Sequence, residues 1–210
     1  MVLFPSTLYT KHKTVTRRHF EMKKLTPTDI NDQQLVDIRS QLAYQSGHLD
    51  YSLNLNPKNF KKYAHHFLSK NEPILLIGED EREIEDVYAL AKDMGFHKLD
   101  GYINISDVPS DKFQASKTAS AESFLKQTDD FILLDVRNPK EITRPAPKKN
   151  LVNIALEDLP NAYPKLDSNK TIYTLCGSGN RGTSAASYLE TKGFNTTVIE
   201  GGMKAIQEIM

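Results

Sequence analysis

The chain repeats itself. Leu35-Val36-Asp37-Ile38-Arg39 returns as Leu133-Leu134-Asp135-Val136-Arg137 at an offset of 98, and at that offset Met94-Gly95-Phe96 falls on Lys192-Gly193-Phe194. Between these anchors Ile74-Leu75-Leu76-Ile77 aligns with Ile172-Tyr173-Thr174-Leu175, and Leu53-Asn54-Leu55 matches Val152-Asn153-Ile154 after a one-residue shift. Matching anchors at both ends mean a tandem duplication. Its period exceeds the roughly 20–50 residues of solenoid repeats and is that of a small domain.

Each unit alternates strands and helices. In the second, Phe131–Val136, Leu151–Ile154, Thr171–Leu175 and Thr196–Ile199 are short apolar runs that predict buried strands. Gly182–Lys192 carries Ala185, Ala186, Tyr188 and Leu189 at helical spacing, and Gly193 caps it. In the first unit Pro57–Leu68 and Glu81–Asp93 predict helices, the latter with Ile84, Val87, Leu90 and Met94 as its apolar stripe. The expected fold is α/β, two tandem units of parallel sheet with helices on both faces. Residues 22–105 form the first unit, 106–120 a linker rich in Ser, Asp, Pro and Lys, and 121–210 the second unit. Residues 1–21 carry Lys11, Lys13, Arg17 and Arg18 against Glu21. That basic stretch lacks the apolar core of a secretory signal and reads as a tail, with a transit peptide as the alternative.

Composition excludes several function classes. Lys plus Arg and Asp plus Glu balance at 27 each, against a nucleic-acid binder resting on a basic surface. A single Cys rules out an internal disulfide framework and a Cys-rich zinc module. No apolar run approaches the roughly 20 residues of a membrane span, so the expected setting is soluble and cytoplasmic.

The one thiol sits where a ligand is expected. In open α/β sheets, ligands bind beyond the carboxyl ends of the strands. Cys176 follows the strand Thr171–Leu175, and the turn Gly177-Ser178-Gly179-Asn180-Arg181-Gly182 leads into a helix. Gly177, Gly179 and Gly182 let the backbone curl so that its amides can gather around an anion. The helix dipole adds positive field, and Arg181 adds a full charge with several donors. This setting suits a thiolate nucleophile for covalent catalysis, with Arg181 and the loop from Gly177 to Gly182 binding an anionic substrate. A buried structural Cys needs neither three nearby glycines nor an arginine five positions on. Ser178 and Asn180 are expected to present their amides, and Thr183 and Ser184 to cap the helix or face the sulfur. His65-His66 are adjacent on a helix and do not converge on a metal.

The combination of Asp135-Val136-Arg137, Cys176 to Arg181, Gly193-Phe194 and Glu200-Gly201-Gly202 resembles the rhodanese family. The first unit carries the early part of that pattern in Leu35-Val36-Asp37-Ile38-Arg39 and Gly47-His48-Leu49. The resemblance covers roughly residues 22–210. It implies a sulfurtransferase in which Cys176 takes a sulfane sulfur from thiosulfate or a low-molecular-weight persulfide and passes it to cyanide or a thiol. It implies no cofactor and no metal. Related Cys-dependent phosphatases use Cys-x5-Arg, whereas four residues separate Cys176 from Arg181 here, so phosphatase is the minor reading. In the first unit Gly78 stands at the position of Cys176, within the acidic loop Gly78-Glu79-Asp80-Glu81-Arg82-Glu83, so that unit is expected to be catalytically inactive. Such a pairing also resembles the C-terminal half of fusions with a metallo-β-lactamase-like persulfide dioxygenase, which makes a persulfide dioxygenase a candidate partner. A non-catalytic, persulfide-binding subunit of such an enzyme is the alternative function. The family's Gly-His-Ile segment is replaced in the second unit by Arg144-Pro145-Ala146-Pro147-Lys148-Lys149, read as a solvated cationic loop.

Overall fold

The computed structural model describes residues 22–210, and the basic stretch 1–21 lies outside the described residues. In the first unit β1 (Gln34–Asp37), β3 (Leu53–Asn54), β4 (Ile74–Gly78) and β5 (Leu99–Asn104) form a parallel sheet in the order β3-β1-β4-β5. Its helices are α1 (Gln41–Ser46), α2 (Pro57–Phe67) and α3 (Glu81–Asp93), and β2 (His48–Leu49) is a short strand after α1. In residues 106–120, β6 (Phe113–Gln114) pairs antiparallel with β2, and β7 (Thr118–Ala119) joins the second sheet.

The second unit repeats the plan. After α4 (Ala121–Leu125) come β8 (Phe131–Asp135), β9 (Leu151–Asn153), α5 (Leu159–Ala162), β10 (Thr171–Leu175), α6 (Asn180–Thr191), β11 (Thr196–Ile199) and α7 (Gly202–Ile209). The parallel sheet runs β9-β8-β10-β11-β7, so the first four strands reproduce the order of the first sheet.

Strand alternation explains why both apolar faces are filled. Val36, Ile38, Ile74 and Leu76 point to one core, and Leu35, Leu75 and Ile77 to another on the opposite face. In the second unit Ile132, Leu134, Val136 and Ile172 face the first of these cores, and Phe131, Leu133, Tyr173 and Leu175 turn away from it. Facing is thus conserved between positions 98 apart, and the inner faces of both sheets share one continuous core.

Two helices differ from expectation. In α3 the buried residues are Ile84, Val87, Tyr88 and Ala91, the strict i, i+3, i+4, i+7 set, with Leu90 and Met94 on the flank. Helix α6 starts at Asn180, two residues before the predicted Gly182, because Gly179 takes the N-cap with φ of 92°. It is also buried nearly all round, from Gly182 to Leu189. Its small polar residues Thr183, Ser184 and Ser187 face the first unit, which covers them.

The duplicated Asp-x-Arg ends each central strand in the same way. Arg39 donates from Nε and Nη2 to Asp37 and from Nη2 to the Gly47 carbonyl, while Asn54 Nδ2 donates to the carbonyls of Asp37 and Arg39. Arg137 makes the same pair with Asp135 and donates to the Arg144 carbonyl, with Asn153 in the role of Asn54. These buried pairs brace the turn beyond the strand. Removing one partner of such a pair costs about 3–5 kcal/mol, because the other charge is left buried.

Candidate functional site

Cys176 lies at the carboxyl end of β10 and is 1% exposed. Its Sγ accepts hydrogen bonds from the amides of Gly179 at 3.2 Å and Gly182 at 3.3 Å. The sulfur therefore sits inside the turn that opens α6, where helix-start amides have no partner in the helix itself. Among the described residues nothing accepts from the amides of Asn180 and Arg181, which leaves them for an atom added to the sulfur. A partly charged sulfur, or an oxyanion beside it, finds there the positive end of a helix.

The three loop glycines have different roles. Only Gly179 uses left-handed backbone, and the loop's curl depends on it. Gly182 is an ordinary residue of α6 packed beside Thr174, and Gly177 has open space where a side chain would go. The sequence expectation that all three glycines curl the backbone is corrected to one. A further glycine completes the loop from behind. Gly202 has φ of 58°, and a Cβ there would lie 2.5 Å from the Cys176 carbonyl oxygen and 2.8 Å from the Gly179 amide nitrogen. Behind it the amides of Met203 and Lys204, at the start of α7, donate to the carbonyls of Cys176 and Gly177 at 2.7 and 3.0 Å. Glu200-Gly201-Gly202 thus has a backbone purpose: it brings a helix start against the thiol loop.

Arg181 reaches the same cleft but is not free. Its Nη1 pairs with Glu141 Oε1 at 2.5 Å. Burial opposes the charge on this guanidinium, but the bond to Glu141 and the charge of Cys176 outweigh it and hold its pKa above the ordinary value. Sequence reasoning missed Glu141, which lies 40 positions away on a turn after β8 with no motif to mark it.

The first unit holds the loop from the other side. Asn59 is 4% exposed and donates from Nδ2 to Asn180 Oδ1 and Ser184 Oγ, both at 2.9 Å. Asn56 Nδ2 also donates to Asn180 Oδ1 at 3.0 Å. Gln41 Nε2 donates to the Ser178 carbonyl, Gln45 Nε2 to Thr183 Oγ1, and the Asn54 amide to Ser187 Oγ. Thr183 Oγ1 donates back to the Gly179 carbonyl. Thr183 and Ser184 therefore neither cap the helix nor face the sulfur. Their hydroxyls are fastened by the first unit.

The cleft above Cys176 has a volume of about 280 Å³. Its walls come from both units: Lys58, Lys62 and Tyr63 of α2 stand opposite Glu141, Arg181 and the thiol loop. The matching loop of the first unit has no such cleft chemistry. Gly78 ends β4, and Asp80 caps α3 by accepting from the Glu83 amide at 2.9 Å. Burial and the nearby carboxylates of Asp80, Glu79 and Asp86 push the Glu83 carboxyl above its ordinary pKa. The helix start that an anion would seek is occupied by the protein's own acids. His48, stacked on Tyr44 and bonded to the Tyr44 carbonyl at 3.0 Å, lies in the interior of the first unit. No helix among the described residues is long and apolar enough to cross a membrane, and no cluster of His, Cys, Asp and Glu among them could hold a metal ion.

Comparison with known proteins agrees with this architecture. A family model described as Rhodanese-like domain matches the chain twice, over residues 22–104 and 119–209. The Bacillus subtilis protein named "Putative sulfurtransferase YtwF" is 32% identical over 88 residues, which is 42% of this chain and 84% of that protein. Among solved structures, a rhodanese-related protein from Thermoplasma volcanium is 27% identical over 44% of this chain and 92% of its own, with a TM-score of 0.42. The Bacillus anthracis CoADR-RHD structure is 28% identical over 45% of this chain and 17% of its own, with a TM-score of 0.40.

Proposed function

The chain belongs to the rhodanese-like family, and on that premise we propose that it is a sulfurtransferase whose second unit carries sulfur on Cys176. The observation that carries this reading is the pair of amides, from Gly179 and Gly182, directed at Sγ. Both donors point at the atom that carries the sulfur in this scheme and can bond to it throughout the transfer.

The thiolate attacks the outer sulfur of the donor. With thiosulfate, the S–S bond of the donor breaks, sulfite leaves with the bonding electrons, and Cys176 becomes a persulfide. With an organic persulfide, the leaving group is the thiol. In the second half, cyanide or an acceptor thiol attacks the outer sulfur and returns Cys176 as thiolate. No electrons are gained or lost overall, so no redox cofactor takes part. Arg181 and the amides from Gly177 to Gly182, with Ser178 and Asn180 contributing backbone, orient the anionic donor. Cys176 is the one Cys in the 210 residues, so the acceptor is external. The first unit is non-catalytic in this scheme, because Gly78 offers no nucleophile and its loop repels anions.

Intact-protein mass measured after incubation with thiosulfate tests the proposal. The expected result is a gain of one sulfur, reversed by cyanide and absent from Cys176→Ser. An unchanged mass with both thiosulfate and an organic persulfide would sink it.

A further inference from the structure

We propose that Lys58 and Lys62 of the first unit form the subsite that takes the anionic end of the molecule reacting at Cys176, and so select its substrate. This deepens the sulfurtransferase reading and rests on it: it adds a donor class, an organic persulfide bearing a carboxylate away from its sulfane sulfur.

The argument begins with where the charge is free. Arg181, the cation of the thiol loop, is already paired with Glu141. Lys58 has no ion-pair partner among the described residues. Lys62 has no ion-pair partner among the described residues either; its Nζ stands 4.8 Å from the centroid of the Tyr63 ring, and the bond to Tyr63 holds its ammonium above the ordinary pKa against the effect of burial. The uncompensated positive charge of the cleft therefore belongs to α2, one helical turn presenting both lysines on the same side.

Depth comes next. Cys176 is buried on the floor, while Lys58 and Lys62 are exposed at the rim. A cleft of about 280 Å³ holds far more than one water's share of about 30 Å³. An extended molecule, with sulfur at the floor and carboxylate at the rim, fills both ends. Tyr63 also lines the cleft, with the Lys62 ammonium over its ring.

The same geometry gives the first unit a use that its missing nucleophile does not predict. Helix α2 has no equally long counterpart in the second unit, where α5 spans only Leu159–Ala162. Duplication followed by divergence has left one copy with the thiol and the other with the helix that faces it.

Two measurements on the full chain test this. The first compares alkylation of Cys176 by 6-(iodoacetamido)hexanoate, whose carboxylate lies a chain's length from the reacting carbon, and by its neutral amide, in both of which the thiolate forms a C–S bond and iodide leaves. The reagents differ in charge and little in size. The ratio of the carboxylate reagent's rate to that of its amide is expected to fall about tenfold in Lys58→Glu/Lys62→Glu and less in Lys58→Gln/Lys62→Gln, with the difference shrinking at high salt. The second compares glutathione persulfide, which carries carboxylates, with cysteamine persulfide, which carries none. Wild type should prefer the former in kcat/KM, and the charge-reversed variant should lose that preference through KM. A ratio and a preference both unmoved by the double variants would overturn the subsite. If no donor loads sulfur but the alkylation ratio falls, the anion subsite stands and the sulfur-transfer reading falls with the donor class.

Discussion

A Cβ added at Gly78 would lie 2.6 Å from Cγ1 of Ile84. At the offset of the repeat these two positions are Cys176 and Gly182, where the thiol of the first accepts from the amide of the second. Each unit thus has one side chain for the space between strand end and helix start. In the second unit it comes from the strand as a thiol, and in the first from the helix as a fully buried isoleucine. Restoring a nucleophile to the first unit therefore meets a steric barrier before any electrostatic one. Gly78→Cys is expected to destabilise the fold by about 1–3 kcal/mol, the usual range for overpacking. Denaturant unfolding checks the loss. In a Cys176→Ser background the added thiol should take no sulfur from thiosulfate by mass.

Gly177 and Gly179 should part company on substitution. Gly177→Ala meets no atom within 4 Å and keeps ordinary backbone. Its effect on stability should stay within about 0.5 kcal/mol. Gly179→Ala must hold a side chain at φ of 92°, beside the amide of Gln41. That should cost about 1–2 kcal/mol and loosen one of the two amides on the sulfur. Paired unfolding curves and sulfur-uptake rates separate the two. Equal losses would show that the loop's curl is shared, as the glycine spacing alone suggests.

Gly202→Ala strikes the loop from behind. The new Cβ has no room against the Cys176 carbonyl, and φ of 58° is itself strained for alanine. A loss of about 1–3 kcal/mol is expected, as for other strained positions at sites. Sulfur uptake should fall further than stability does, because α7 and the loop must separate. Measuring uptake well below the unfolding midpoint distinguishes displacement from unfolding.

The parts of this molecule that could be read from sequence are those written locally. Apolar runs such as Phe131–Val136 and Ile74–Ile77 announce strands, and the offset of 98 carries their order and facing from one unit to the other. Cys176 and Arg181 were legible because both sit in one loop. Asn59, Gln41 and Gln45 were not, since each meets the loop from more than 115 positions away and an amide on a helix looks like surface. Thr183 and Ser184 were expected to cap the helix or face the sulfur for the same reason: the first-unit amides that hold their hydroxyls lie 125 or more positions away. One signal was present and unused, because the repeat already sets Ile84 against Gly182.

Asn59 offers the clearest test of that long-range hold. Its buried amide serves Asn180 and Ser184 together, so Asn59→Ala takes that donor from Ser184 Oγ and leaves Asn180 Oδ1 with Asn56 alone. The expected cost is about 1–3 kcal/mol, typical of buried groups left unpaired. Asn59→Asp should be worse, since a carboxylate cannot donate to Asn180 Oδ1. If uptake of sulfur by Asn59→Ala equals wild type at matched folded fraction, the first unit's contacts stabilise the fold without positioning the loop.

Glu141 decides how strongly the loop attracts a small anion. Its carboxylate holds the guanidinium of Arg181 and offsets its charge in a half-open site, with side chains 40% and 21% exposed. Glu141→Gln keeps a hydrogen-bond acceptor and removes the counter-charge. Arg181 stays protonated in either protein, so the field at Cys176 becomes more positive. The KM for thiosulfate should then fall several-fold and depend more steeply on salt, as for any partly exposed charge. A donor anchored at Lys58 and Lys62 should gain less, because its anionic end lies at the rim. A rise in KM would mean that Glu141 orients Arg181 more than it neutralises it, and Arg181→Lys should then cause the same rise by losing the planar fork.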